Sequence, residues 1–165
     1  RVLEARGKRR RREAAAPRPL RLVVAGSDPL SPAYEAKARA LGIAERVRFL
    51  GSRADVPDLL AGADLLLLPS YFDAFAHVVS EAFASGVPAI ASSTSGAAEL
   101  IEDGVQGWVL RRNDVEELDR ALELFLARVD REPLRCAARE TALRLSWNRH
   151  FEEVERIYAE LAAST

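Results

Sequence analysis

Short apolar runs alternate with helical stretches along most of this chain. The runs predict five strands, at Leu22–Ala25, Val47–Leu50, Asp64–Leu68, Pro88–Ala91 and Gly107–Leu110. Strands of four or five residues that are nearly all apolar are typical of a parallel sheet with helices on both faces. The pattern therefore predicts an α/β fold, a Rossmann-like, doubly wound parallel sheet.

Helical periodicity fills the spaces between the strands and the whole C-terminal third. Helices are predicted at Ser31–Leu41, Val56–Ala61, about 76–85, Ala97–Glu102, Val115–Val129, Glu132–Leu145 and Trp147–Ala162. Asp114 is a plausible N-cap for the fifth of these. The last helix has an apolar stripe formed by Trp147, Phe151, Val154, Tyr158 and Leu161. We expect this stripe to pack against the sheet.

Composition adds few constraints on function. The 165 residues are enough for one domain, and we assign residues 20–165 to it. Residues 1–19 form a basic N-terminal segment, and the run Lys8–Arg12 could bind nucleic acid or anionic lipid or could be a solvated loop. With no interleaved aromatic residues the nucleic-acid interpretation is weak, so we expect no nucleic-acid partner. One cysteine and two histidines predict no disulfide and no metal site.

The predicted topology indicates where a ligand would bind. Ligands of open parallel sheets bind beyond the carboxyl ends of the strands. Four such ends are readable, at Gly26–Pro29, Gly51–Arg53, Pro69–Ala76 and Ser92–Gly96. We expect all four to converge on one crevice.

The third strand end carries the sharpest chemical pattern. Asp73 precedes a helix, and Glu81 lies about one turn into it, on the side of His77. Backbone amides of Ala74–Val78, near the helix start, could bind a diphosphate without a metal. Glu81 could accept hydrogen bonds from a vicinal diol such as ribose, and Asp73 from a second sugar. The alternatives, an N-cap for Asp73 and an exposed helix charge for Glu81, stay open at this point.

These residues resemble a known family. The segment Asp73–Gly86 has the order acid, small-Phe-small, four residues, Glu-Ala, then Ala-x-Gly-x-Pro, and is followed by Gly96, Glu99, Gly104 and Gly107. This order is similar to the donor-binding pattern of the retaining glycosyltransferases of family 4, which are two-domain GT-B enzymes. The resemblance covers roughly residues 20–161 and implies the C-terminal half of a GT-B fold. Tyr71 and Val78-Val79 make the segment most similar to lipopolysaccharide-core and related cell-envelope transferases.

The resemblance implies a role for each matching position. Glu81 would hold the ribose of a nucleotide-sugar donor, and Asp73, the implied catalytic residue, would contact the transferred sugar. Amides of Phe75, Ala76, His77 and Val78 would face the donor sugar and diphosphate, with Ala74 beside them. Gly51 and Arg53 would border the nucleobase, and Gly26 would complete the donor-binding set.

The sequence departs from the family pattern at two positions of this segment. Asp73 stands where the family usually has Glu, so its reach is one methylene shorter. Ala76 stands where the family usually has Gly, so we expect its Cβ to crowd the diphosphate or to change the backbone path. His77 occupies a variable position, where a protonated ring could pair with phosphate or with Glu81, although we expect an ordinary surface histidine.

Two function classes remain. One is the donor-binding half of a glycosyltransferase, with a nucleotide-sugar donor, an acceptor glycan or lipid-linked sugar, and no cofactor or metal. The acceptor domain and a phosphate-binding basic loop would precede this chain. The other is a non-catalytic nucleotide-sugar-binding or interaction module. We expect a cytoplasmic protein, peripheral at the inner face of the cell membrane through the preceding domain.

Overall fold

The computed structural model describes residues 20–112 and 114–163. The basic segment 1–19, with Lys8–Arg12, lies outside the described residues. The chain divides into two compact units, Arg1–Ala54 and Asp55–Thr165, and each has its own parallel sheet with flanking helices. The predicted α/β, Rossmann-like class is confirmed, whereas the assignment of residues 20–165 to one domain stays a prediction.

The first unit has two parallel strands. Its elements are β1 (Leu22–Ala25), α1 (Ser31–Ala40), a 3-10 helix (Ala44–Arg46) and β2 (Val47–Gly51). The register shifts after Val24, so that Ala25 lies opposite Gly51. Both strands are where the apolar pattern predicted them, to within one residue.

The second unit has a three-stranded parallel sheet in the order β3-β4-β5. Its elements are α2 (Val56–Ala61), β3 (Leu66–Leu68), α3 (His77–Ala84), β4 (Ala89–Ser92), a 3-10 helix (Gly96–Leu100), β5 (Gly107–Leu110), α4 (Val115–Leu126), α5 (Glu132–Arg144) and α6 (Trp147–Ala163). The predicted ends of these strands and helices differ from the observed ends by at most three residues. The helix predicted at Ala97–Glu102 is instead the 3-10 helix.

Helices cover both faces of this sheet. Successive residues of a strand point to opposite faces, so neighbouring residues of β4 pack against different helices. Ala89 and Ala91 of β4 belong to a core cluster with Phe83 of α3 and Ala138 of α5. Ile90, between them, belongs to a second cluster that contains Trp108, Phe125 and Leu134. The sheet of this unit is therefore doubly wound, as predicted.

The apolar stripe of α6 does not pack against the sheet, so that prediction is wrong. Trp147, Phe151, Tyr158 and Leu161 are between 57% and 72% exposed, and no residue of α6 is buried. Helices α3, α4 and α5 already cover the two faces of the three-stranded sheet. Within α6, the rings of Trp147 and Phe151 stack on each other.

Asp114 caps α4 as predicted, which allows a stability test. Its Oδ1 accepts a hydrogen bond of 2.8 Å from the Glu117 N–H. We expect Asp114→Ala to lower the free energy of unfolding by about 0.5–2 kcal/mol, measured by urea denaturation. Asp114→Asn keeps the acceptor and should lose much less. An equal loss in both variants would instead assign the effect to the exposed ion pair of Asp114 with Arg112.

Candidate functional site

Pairing between β3 and β4 continues past the ends of both strands. Asp73 and Ser95 form an isolated parallel bridge beyond Leu68 and Ser92. The Asp73 N–H donates to the Thr94 carbonyl at 3.3 Å, and the Gly96 N–H donates to the Asp73 carbonyl at 3.1 Å. These bonds fix the backbone of Asp73 at the carboxyl edge of the sheet, where ligands of such folds bind.

Hydroxyl groups hold the start of the same loop. The Ser70 carbonyl accepts hydrogen bonds from Ser92 Oγ at 2.5 Å and from Thr94 Oγ1 at 2.7 Å. Ser95 Oγ, by contrast, is buried and makes no hydrogen bond with another described residue. The sequence predicted Ser92–Gly96 only as a strand end, and it did not predict these hydrogen bonds. The signal that could have identified the contacts is the run of four hydroxyl residues, Ser-Ser-Thr-Ser, directly after a buried strand.

Gly96 is required at this junction for steric reasons. A Cβ built on Gly96 would lie 2.2 Å from the carbonyl oxygen of Ala74. Real side chains do not approach a backbone oxygen so closely. The absence of a side chain at Gly96 therefore lets the loop that contains Asp73 pack directly on the loop after β4.

Helix α3 begins without a side-chain cap. Its N-cap residue is Ala76, in an extended conformation, and no side chain of residues 20–112 or 114–163 accepts a capping hydrogen bond there. The suggestion that Asp73 caps the helix is thus wrong. The amides of His77 and Val78 form the first turn, where a helix has no internal acceptor for its N–H groups. Ala74 and Phe75 precede the helix and are exposed.

Both candidate carboxylates are available to a ligand. Asp73 is half-buried and Glu81 is exposed. Among the described residues, neither carboxylate has a hydrogen-bond or ion-pair partner. Glu81 lies one turn along α3 from His77, which corresponds to a rise of about 6 Å. Its exposure is compatible both with ligand binding and with an ordinary helix charge.

The side chains of the segment 74–78 divide between the core and the surface. Ala76 is 7% exposed and belongs to the core cluster that contains Val79 and Ala97. Its methyl group therefore packs into the core, and the expectation that this Cβ crowds a diphosphate or changes the backbone path stays a prediction. Val78 is half-buried against the same cluster, whereas the exposed His77 ring meets the Phe75 ring edge-on at 5.6 Å. Ala76 and Val78 thus offer a ligand their backbone rather than their side chains.

The three remaining predicted residues lie in the unit Arg1–Ala54. Gly26 and Gly51 are brought together there, because the Gly26 N–H donates to the Gly51 carbonyl at 2.8 Å. Both have positive φ angles, at the ends of β1 and β2. Arg53 follows two residues after Gly51. The convergence of all four strand ends on one crevice stays a prediction.

Two negative findings apply to residues 20–112 and 114–163. No group of three or more histidine, cysteine or acidic side chains has an arrangement that could hold a metal ion. Across the same ranges, no helix has the length and apolarity needed to cross a membrane.

Comparison with known proteins gives consistent matches. The family model described as glycosyl transferases group 1 matches residues 8–142. The lipopolysaccharide glucosyltransferase WaaG of Escherichia coli (strain K12) is 34% identical over 129 residues, which are 76% of this chain and 32% of WaaG. A D-inositol 3-phosphate glycosyltransferase of Salinispora tropica is 34% identical over 129 residues, 76% of this chain and 27% of that relative. The chain thus spans about a third of the length of these relatives.

Solved structures agree with the sequence matches. The crystal structure of WaaG superimposes with a TM-score of 0.63 and 35% identity, covering 81% of this chain and 34% of that one. The structure of Anabaena Alr3699/HepE in complex with UDP gives a TM-score of 0.68 and 27% identity, covering 88% of this chain and 41% of that one.

The steric role of Gly96 predicts the effect of one methyl group. Gly96→Ala should force the Ala74 carbonyl away and lower the free energy of unfolding by about 1–3 kcal/mol. Gly62→Ala is the matched control, because the nearest atoms to its Cβ are at 3.7 Å and its φ of −88° suits any residue. That control should leave stability unchanged or raise it by about 0.4–1 kcal/mol. Equal urea midpoints for Gly96→Ala and the wild type would contradict the close packing of the two loops.

Proposed function

Because the chain belongs to the glycosyl transferases group 1 family, we propose that it is the donor-binding half of a retaining glycosyltransferase. It would take part in moving a sugar from a nucleoside diphosphate to an acceptor hydroxyl group. The observation that carries the proposal is the uncapped start of α3 between two carboxylates, Asp73 and Glu81, that have no partner among the described residues. That arrangement provides separate positions for a diphosphate and for hydroxyl groups.

The diphosphate would bind at the start of α3. The amides of His77 and Val78 point out of the first turn, and the helix dipole favours negative charge at this end. Ala76 provides no side-chain cap, and no described side chain accepts a capping hydrogen bond from these amides. The bound phosphate would itself cap the helix.

The two carboxylates would orient the sugars on either side of the diphosphate. Glu81 would accept two hydrogen bonds from the vicinal hydroxyls of ribose. Asp73, held by its backbone bonds to Thr94 and Gly96, would accept from hydroxyls of the transferred sugar. The roles of Gly26, Gly51 and Arg53 beside the nucleobase stay predictions from the family resemblance.

Catalysis would be mainly electrostatic. The bond between the anomeric carbon and the diphosphate oxygen breaks, the acceptor oxygen bonds to that carbon with retained configuration, and the acceptor proton leaves with the diphosphate. Amides fixed at a helix start stabilise the negative charge that develops on the departing group without reorganising. Together with basic groups from a preceding part of a longer protein, they would make a metal unnecessary.

The relatives suggest the substrate class. WaaG is named a lipopolysaccharide glucosyltransferase, and Alr3699/HepE was solved with UDP. We therefore propose a uridine diphosphate hexose as donor and a glycan or lipid-linked sugar of the cell envelope as acceptor. The reaction would take place on the cytoplasmic side, at the inner face of the cell membrane.

If Glu81 binds the ribose, two exposed glutamates should differ in their effect on the affinity for UDP-glucose. Glu81→Ala should weaken UDP-glucose binding at least about tenfold in isothermal titration calorimetry, since a hydrogen bond to a charged group contributes about 1.5–3 kcal/mol. Glu102→Ala removes a similar exposed charge after the 3-10 helix and should leave the affinity unchanged. A parallel titration with GDP-mannose tests whether the site prefers uracil over guanine.

Equal affinities of the two variants would sink the ribose assignment. Absence of any heat of binding from the wild-type chain with both nucleotide sugars would sink the donor-binding proposal itself. Circular dichroism spectra of the two variants should match the wild type, because neither glutamate is buried.

A further inference from the structure

The hydroxyl group of Ser95 is buried and has no hydrogen-bond partner among the described residues. Ser95 is 2% exposed, and its backbone is extended, with φ −97° and ψ 130°. The hydroxyl groups of Ser92 and Thr94, in the same loop, both donate to the Ser70 carbonyl. A hydroxyl group that is removed from water without a hydrogen bond destabilises a fold, so Ser95 calls for an explanation.

The register of the sheet places the side chain of Ser95 beside that of Asp73. The Asp73 N–H donates to the Thr94 carbonyl and the Asp73 carbonyl accepts from the Gly96 N–H, so Ser95 lies directly opposite Asp73 in the parallel pairing. Residues opposite each other in a parallel pair direct their side chains to the same face, because side chains alternate in step along both strands. Neighbouring strands lie about 4.8 Å apart. The two side chains are therefore within reach of each other.

Each of these two groups lacks the partner that the other can supply. The Asp73 carboxylate is half-buried and has no hydrogen-bond or ion-pair partner among the described residues. An ionised carboxylate only accepts hydrogen bonds, and a serine hydroxyl group has one proton to donate. Rotation about the Cα–Cβ bonds of the two residues brings Ser95 Oγ to a carboxylate oxygen at about 2.7 Å. That bond would satisfy the buried hydroxyl group.

We propose that Ser95 is a positioning residue for Asp73. Its hydroxyl group donates to one carboxylate oxygen and leaves the other oxygen to accept from a sugar hydroxyl group. The inference rests on the proposed function, in which Asp73 contacts the transferred sugar.

The hydrogen bond adds an orientation that the backbone does not fix. The bonds of Asp73 to Thr94 and Gly96 hold its main chain at the edge of the sheet. The carboxylate can still turn about the two rotatable bonds of its side chain. A donor from Ser95 holds it in one rotamer, so less side-chain entropy is lost when the sugar binds.

Isothermal titration calorimetry of the 165-residue chain with UDP-glucose and with UDP tests the positioning role. Ser95→Ala should weaken the affinity for UDP-glucose at least about fivefold, because the sugar is assigned to Asp73. The affinity for UDP should be unchanged, because the ribose and the diphosphate are assigned to Glu81 and to the start of α3. Ser93→Ala is the matched control, since its exposed hydroxyl group donates to the Arg111 carbonyl, and it should leave both affinities unchanged.

A urea denaturation cycle tests the hydrogen bond without any ligand. In the wild-type background, Ser95→Ala should lower the urea midpoint, because the hydroxyl group has a partner to lose. In the Asp73→Ala background, the same substitution should leave the midpoint unchanged or raise it, because there it removes a buried hydroxyl group that has no acceptor.

Two results would overturn the inference. One is the same change of urea midpoint in both backgrounds, which would give Ser95 a packing role alone. The other is a wild-type chain that binds UDP and UDP-glucose, with Ser95→Ala weakening both equally or neither. A wild-type chain that binds neither ligand would instead overturn the donor site, and the urea cycle would then decide whether Ser95 holds the Asp73 carboxylate.

Discussion

The close approach of two loops at the carboxyl ends of β3 and β4 is the constraint on which the proposed site depends. Parallel pairing continues to Asp73 and Ser95, and it can do so only because Gly96 has no side chain against the Ala74 carbonyl. Parallel strands expose their carboxyl ends at one edge, so this contact fixes where the loop lies and where α3 begins. The positions of the α3 amides and of the Asp73 backbone follow from it.

The starts of α3 and α4 differ in capping. The difference shows what the proposed site gains from an uncapped helix start. Helix α4 has the side chain of Asp114 on its first turn, which satisfies an amide and neutralises part of the dipole. Helix α3 has alanine at the equivalent position, and its first amides remain available. An uncapped helix start lowers the free energy of unfolding by about 1 kcal/mol, and a bound anion would restore this stability.

Sequence alone predicted most of the fold, because short apolar strands and glycine-terminated helices are local patterns. The start of α3 was predicted correctly, and Asp73 and Glu81 became candidates because an acid, a helix start and a second acid are readable from spacing. The hydroxyl contacts of Ser92 and Thr94 to Ser70 were missed, since they join residues more than 20 positions apart. The α6 stripe was misassigned because periodicity identifies an apolar face but not the element against which that face packs.

The most direct test of the central claim is a two-dimensional amide NMR titration of the isotope-labelled chain with UDP-glucose. The account predicts the largest shifts at the amides of His77 and Val78, saturating with one donor per chain. The amides of Val115 and Glu116, at the capped start of α4, should not move. Saturating binding that leaves the His77 and Val78 amides unperturbed would contradict a diphosphate at the start of α3.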